Sequence, residues 1–181
     1  MPTVTLIGFR GTGKTTVARL LAQRLGVPWW DADVELEARI GRSIADLVAT
    51  CGEASFRAEE SVQLATLLDR GPGIVATGGG VILSPDNRAL IGRLGGAVVW
   101  LTASPEVIRR RLAVDPQTVR RRPALLGDDP LAEIDTLLLA REPLYRACAD
   151  LVVDTGMLPP EDVAATIATR LPGGTAARVQ P

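Results

Sequence analysis

Short apolar runs separated by stretches of helical periodicity set the layout of this chain. Thr3 to Ile7, Trp29 and Trp30, Ile74 to Thr77, Ala97 to Leu101 and Leu151 to Val153 read as strands, with helical patterns between them. Strands that alternate with helices predict a parallel sheet with crossover helices, an α/β fold. Four of these five runs are rich in Val, Ile or Leu, the composition of strands buried on both faces; the Trp29-Trp30 pair is the weakest of them. Val17, Leu20, Leu21 and Leu25 recur at helical spacing after the first run, and Pro160 to Leu171 reads as the last helix.

Two stretches interrupt the alternation. Residues 33 to 70 are almost wholly helical in pattern, with a break at Ala49 to Glu53. Residues 113 to 129 carry three arginines and three aspartates with little apolar periodicity. The first suits a substrate-binding insertion, about residues 31 to 62, and the second a mobile lid, with a plain surface loop as the alternative. The Gly/Ala-rich end from Pro172 to Pro181 is expected to fray.

Composition narrows this picture. A chain of 181 residues, 46% of them hydrophobic, suits one α/β domain over about residues 1 to 171 and is short for two. With 20 basic and 21 acidic residues the formal charge is −1, so no global field favours nucleic acid or an anionic membrane. Aromatic residues are only 3%, which removes base-stacking platforms as a binding mode. Histidine is absent and neither Cys51 nor Cys148 belongs to a CxxC pair, so a zinc site or disulfide framework is poorly supported and two reduced, buried thiols are expected. No signal-peptide pattern and no apolar run of membrane-spanning length is present, and a soluble cytoplasmic protein is expected.

Candidate chemistry gathers just after the strands, where open parallel sheets bind ligands. The first run leads into Gly8-Phe9-Arg10-Gly11-Thr12-Gly13-Lys14-Thr15 and then a helical pattern. In such a loop glycines let successive N–H groups converge on phosphate oxygens, and the positive end of the following helix adds to the field. Gly11, Thr12, Gly13, Lys14, Thr15 and Thr16 are the nucleotide-binding candidates, with Lys14 reaching the β- and γ-phosphates and the Thr15 hydroxyl reaching Mg²⁺. The second strand ends in Asp31-Ala32-Asp33 and the third in Gly78-Gly79-Gly80. Since the third strand ends in glycines, Asp31 is the better second group for the metal, through water. Asp33 could orient an acceptor hydroxyl or take its proton, or cap the helix that starts near Val34. The three glycines let backbone N–H groups approach a small polar substrate. Arg57 and Arg141 could clamp a ligand or form surface ion pairs, and Arg120, Arg121 and Arg122 could act from the lid or form a solvated basic run.

In their order along residues 3 to 155, these pieces resemble the shikimate kinase family. The resemblance is carried by Gly8 to Thr15, Asp31-x-Asp33, Gly41-Arg42-Ser43-Ile44, Gly52-Glu53-x-x-Phe56-Arg57-x-x-Glu60, Gly78 to Gly80, Arg122-Pro123-Ala124-Leu125-Leu126, Arg141-x-Pro143-Leu144-Tyr145 and Val153-Asp154-Thr155. It implies a three-layer P-loop NTPase fold with a five-stranded parallel sheet, a helical substrate-binding insertion and a lid. It further implies ATP and Mg²⁺ as cofactors and a monomer acting on shikimate. Arg57 and Arg141 would pair with the shikimate carboxylate, Asp33 and the Gly79 backbone would hold its hydroxyls, with Gly78 and Gly80 also substrate-binding, and Lys14 and Arg122 would neutralise the moving phosphoryl group. An arginine before the lid lies against adenine in that family; Arg109, Arg110 and Arg111 compete for the place and Arg111 is chosen. The lid has an extra residue, Ala124, and Leu47-Val48 stands where the family often has an aromatic residue. Two other readings compete: a gluconate or nucleotide kinase sharing only the phosphate loop, and a nucleotide-binding module that has lost catalysis.

Overall fold

The computed structural model describes residues 4–114 and 134–171. Five parallel strands form one sheet in the order β2-β3-β1-β4-β5. They are β1 (Val4–Ile7), β2 (Trp29–Asp31), β3 (Ile74–Ala76), β4 (Ala97–Thr102) and β5 (Leu151–Asp154). Each lies within a residue of its apolar run. Strand β1 is central, with Val4 opposite both Ile74 and Ala97. Beyond β3 the contact continues through Thr77, whose amide and hydroxyl both donate to the Leu6 carbonyl, at 3.1 and 2.9 Å.

Alternation along the strands builds two cores. Val4, Leu6, Ile74, Ala76, Val99 and Leu101 face one way, onto α1 (Lys14–Leu25) and α7 (Pro160–Arg170). Ile7, Val75, Val98 and Trp100 face the other, onto α3 (Ile44–Asp69), α4 (Pro85–Leu94) and α6 (Ile134–Cys148). A helical layer on each face of a parallel sheet gives the three expected layers. Helix α5 (Pro105–Ala113) packs Ile108 and Leu112 around Phe9 with Ile134 and Leu137 of α6, closing a third cluster under the phosphate loop.

The long helical stretch after β2 is two helices. Helix α2 (Ala32–Ile40) ends at Gly41, and α3 begins after Ser43, whose hydroxyl accepts from the Asp46 amide at 3.0 Å. Within α3 the expected break is a kink at Gly52, with φ 81° and ψ 166°. Leu36, Ile44, Leu47 and Phe56 form a small separate core beneath this pair.

Three expectations are corrected. The residue capping α2 is Asp31, not Asp33: Asp31 is extended (φ −97°, ψ 119°) and its Oδ1 accepts from the amides of Asp33 at 3.0 Å and Val34 at 3.3 Å. Asp33 already lies inside the first turn. Cys51 is exposed and Cys148 half-buried, because Cys51 sits on the outer face of α3 beside the kink. The last helix stops at Arg170, one residue early, with Leu171 extended. Among the described residues no helix is long and apolar enough to cross a membrane. Most of the expected lid, Arg120, Arg121 and Arg122 included, and the tail after Leu171 lie outside the described residues.

Candidate active site

The phosphate loop leaves the central strand and enters α1. Gly11 and Gly13 take positive φ, 78° and 87°, and no atom lies within 4 Å of where a Gly13 side chain would start, so that face of the loop is open. The loop is braced from inside by Thr12, whose hydroxyl donates to the Phe9 carbonyl at 2.7 Å. Lys14 is buried at 9% exposure and its Nζ donates to the carbonyls of Gly8 and Phe9, at 2.8 and 2.9 Å. The backbone thus holds the ammonium across the loop. Thr15 and Thr16 follow on the first turn of α1, both exposed.

Thr15 donates its hydroxyl to Asp31 Oδ2 at 2.5 Å. The end of β1 and the end of β2 therefore meet through two hard oxygen donors, a set that suits Mg²⁺ completed by phosphate and water oxygens. Among the described residues no cluster of three or more His, Cys, Asp or Glu could hold a metal by itself. Asp33 is half-buried in the first turn of α2, at the same end of the sheet.

After β3 the chain runs through the buried glycines Gly78, Gly79 and Gly80. Their backbone is closely approached on two sides. A Cβ on Gly79 would stand 3.1 Å from the Arg10 amide nitrogen, and a Cβ on Gly80 would fall 2.4 Å from Arg57 Nη1. The absent side chains let the loop lie close against the phosphate loop at Gly79 and under the Arg57 guanidinium at Gly80, which a larger residue there would have to displace.

Arg57 is fixed by carboxylates on its own helix. Nη1 donates to Glu60 at 2.7 Å and Nη2 to Glu53 at 2.9 Å, the i+3 and i−4 neighbours, and its guanidinium lies 4.8 Å from the Phe56 ring centroid. Arg141 comes from α6, is 7% exposed, and donates to the Gly79 carbonyl at 3.4 Å. Its guanidinium lies 5.5 Å from the Phe9 ring, and Arg10 lies 5.6 Å from the same ring. Burial pulls the Arg141 pKa below the ordinary guanidinium value; Tyr145 opposes this, while Arg57 and Arg10 add to it. Arginine remains charged despite such a shift. This end of the cleft is therefore a place where an anion relieves repulsion among cations. Beside Arg57 opens a cavity of about 380 Å³, walled by Glu53, Glu60, Ser61 and Gly80 with Leu83, Ser84 and Asn87.

Of the three arginines on α5, Arg109 pairs with Asp135, Arg110 is exposed, and Arg111 joins the loops. Arg111 donates to the Gly11 carbonyl at 3.2 Å, the Thr155 hydroxyl at 2.9 Å and the Thr155 carbonyl at 2.6 Å. Burial lowers its pKa, Arg110 adds to that, and Asp154 opposes it.

Sequence reasoning assigned no role to Glu53, Glu60, Tyr145 or Thr155. Glu53 and Glu60 carried a readable signal, their helical spacing from Arg57. Tyr145 is likewise four residues from Arg141, but the partners of its hydroxyl and of Thr155, among them Gly79, Thr12 and Thr102, lie far off in sequence and could not be read from spacing.

A phosphate loop whose neighbour is a cationic pocket built on glycines describes a small-molecule kinase with an anionic acceptor. Comparison makes this particular: the family model described as shikimate kinase matches residues 10–172, and the chain belongs to the shikimate kinase family. A shikimate kinase of Burkholderia pseudomallei is 44% identical over 153 residues, 84% of this chain and 80% of that protein. One of Symbiobacterium thermophilum is 40% identical over 168 residues, 93% and 95% of the two chains. Among solved structures, shikimate kinase from Acinetobacter baumannii in complex with shikimate matches with TM-score 0.85 at 36% identity, covering 92% of this chain and 90% of that one. The chain is thus an ATP-dependent kinase of the shikimate pathway.

Proposed function

We propose that this chain transfers the γ-phosphoryl group of ATP to the 3-hydroxyl of shikimate, giving shikimate 3-phosphate and ADP. The observation that carries the reading is the convergence of Arg57 and Arg141 on Gly79 and Gly80, next to the phosphate loop. Two planar guanidinium groups suit a carboxylate better than point charges would. Arg57 and Arg141 hold the acceptor's carboxylate, and Asp33 with the backbone of Gly78, Gly79 and Gly80 holds its hydroxyls.

In the transfer the acceptor oxygen forms a bond to the γ-phosphorus as the bond from that phosphorus to the β–γ bridging oxygen breaks, and ADP leaves. The hydroxyl proton passes to Asp33, half-buried in the first turn of α2 at the same end of the sheet. Lys14 lies across the loop where charge develops on the phosphoryl oxygens. Arg122 is given the matching role from the lid on sequence alone. Thr15 and Asp31 are the protein's groups for Mg²⁺, which when bound draws charge from the phosphate oxygens. Gly11, Thr12, Gly13 and Thr16 complete the phosphate cradle, and Arg111, fixed to Gly11 and Thr155, makes a wall for adenine. Residues 1–171 carry the activity as one domain, with 31–62 as the acceptor region and 113–129 as the lid. The chain is taken to act as a cytoplasmic monomer.

The test is a coupled ADP-release assay with MgATP and shikimate, run beside gluconate and a nucleoside monophosphate. Turnover is expected with shikimate alone, and Arg57→Ala and Arg141→Ala are each expected to raise its KM at least about tenfold. Turnover with another acceptor, or unchanged kinetics in both variants, would overturn the arginine clamp.

A further inference from the structure

We propose that Tyr145 is the positioning residue of the acceptor pocket, its single buried hydroxyl setting the orientation of the Gly79–Gly80 peptide and of Arg141. The proposal deepens the reading of Gly79 and Arg141 as acceptor-binding groups and rests on it. Tyr145 follows Arg141 by four residues on α6, so the two side chains leave the same helical face. The phenol donates to the Gly79 carbonyl at 2.5 Å, and Arg141 Nη1 reaches the same oxygen at 3.4 Å. A carbonyl oxygen has two lone pairs and can accept both. Tyr145 is 1% exposed and Arg141 7%, so water does not compete freely for either bond.

The hydroxyl is held at both ends. Its ring stacks on Trp100 of β4, with centroids 5.7 Å apart and planes 14° apart, which ties the phenol to the sheet. On the other side, the glycine loop lies against the Arg10 amide and under the Arg57 guanidinium, so it has little room to follow a displaced partner. The 79–80 peptide is planar and trans. Fixing its carbonyl therefore fixes the opposite direction of the Gly80 N–H, and one hydroxyl sets both a backbone donor and a cation. A phenylalanine could fill the same space on Trp100. What tyrosine adds is its oxygen, which bonds the Gly79 carbonyl and meets the Arg141 side chain.

Tyr145→Phe separates positioning from packing, since it keeps the ring and its stack and removes only the oxygen. The KM for shikimate is expected to rise about 5- to 10-fold, as loss of one hydrogen bond implies, while the KM for ATP stays within about twofold and the melting temperature falls by only a few degrees. An unchanged shikimate KM would overturn the proposal. A parallel rise in both KM values with a large fall in melting temperature would overturn it too, by making the hydroxyl part of the general core. Arg141→Lys, measured alongside, tells the two failures apart. If it raises the shikimate KM and Tyr145→Phe does not, the clamp stands and the positioning role is rejected; if neither does, the reading of the pocket falls and takes the proposal with it.

Discussion

Lys14 ends between two carbonyls of its own loop, and Asp31 divides its two oxygens between two tasks. A cation already held by the backbone needs no rearrangement when negative charge develops nearby. Lys14→Ala is therefore expected to lower kcat at least about a hundredfold, measured by steady-state ADP release; a loss of less than tenfold would take this role from it. For Asp31, one oxygen caps α2 and the other accepts the Thr15 hydroxyl. Asparagine caps as well as aspartate but carries no charge. Asp31→Asn should leave stability within about 0.5 kcal/mol and raise the Mg²⁺ concentration for half-maximal rate several-fold, by removing one anionic oxygen near the metal. Lower stability with unchanged Mg²⁺ dependence would leave Asp31 a cap and nothing more.

Helix α3 shows how an element carries the pocket. Its kink at Gly52 falls in a region of φ and ψ that is open almost only to glycine, and the next residue, Glu53, holds Arg57. Gly52→Ala is expected to cost about 1–3 kcal/mol in denaturant unfolding and to raise the shikimate KM by displacing Glu53 from Arg57; wild-type stability would mean that the kink is not required. The break itself was legible, because helical periodicity lapses around a glycine, and it falls at Gly52, whose backbone is non-helical. Strands β1, β3 and β4 were legible for a simple reason, since burial on both faces selects Val, Ile and Leu; β5 carries the same residues at the other sheet edge, where only Val153 is buried. Strand β2 lies at the sheet edge with half-buried residues, so that selection is weak there. Two aspartates a residue apart look alike in sequence, and only the extended backbone of Asp31 decides which one caps α2. The sheet order was not readable from periodicity, since β1 pairs with β3 and β4 rather than with its neighbour in the chain.

Across the whole molecule the site depends on contacts between strand ends that are distant in sequence, and Thr155 is where they meet. It follows the edge strand β5, and its hydroxyl lies 3.1 Å from the carbonyls of both Thr12, in the phosphate loop, and Thr102, at the end of β4. The same oxygen accepts from Arg111 Nη1 at 2.9 Å. A hydroxyl has one proton, so the two carbonyls share it while the lone pairs serve Arg111. The nucleotide loop is thereby tied to the sheet edge and to α5, the helix that leads toward residues 113–129. Arg10 and Gly79 join the acceptor pocket to the loop at a different place. Nucleotide and acceptor binding should thus respond separately to damage. Thr155→Val keeps the shape and removes the hydroxyl, so the buried Thr12 carbonyl loses that donor while the Thr102 carbonyl keeps the Thr155 amide, which is expected to cost about 1–3 kcal/mol of stability. The bond from Arg111 Nη2 to the Thr155 carbonyl survives the change, so the loop should loosen rather than come apart. The KM for ATP is expected to rise about 3- to 10-fold, since the freed loop must be reordered on binding, with the shikimate KM within about twofold. Equal rises in both would show that the two halves of the site are held as one unit, and an unchanged ATP KM would show that the loop keeps its shape without its anchor at β5.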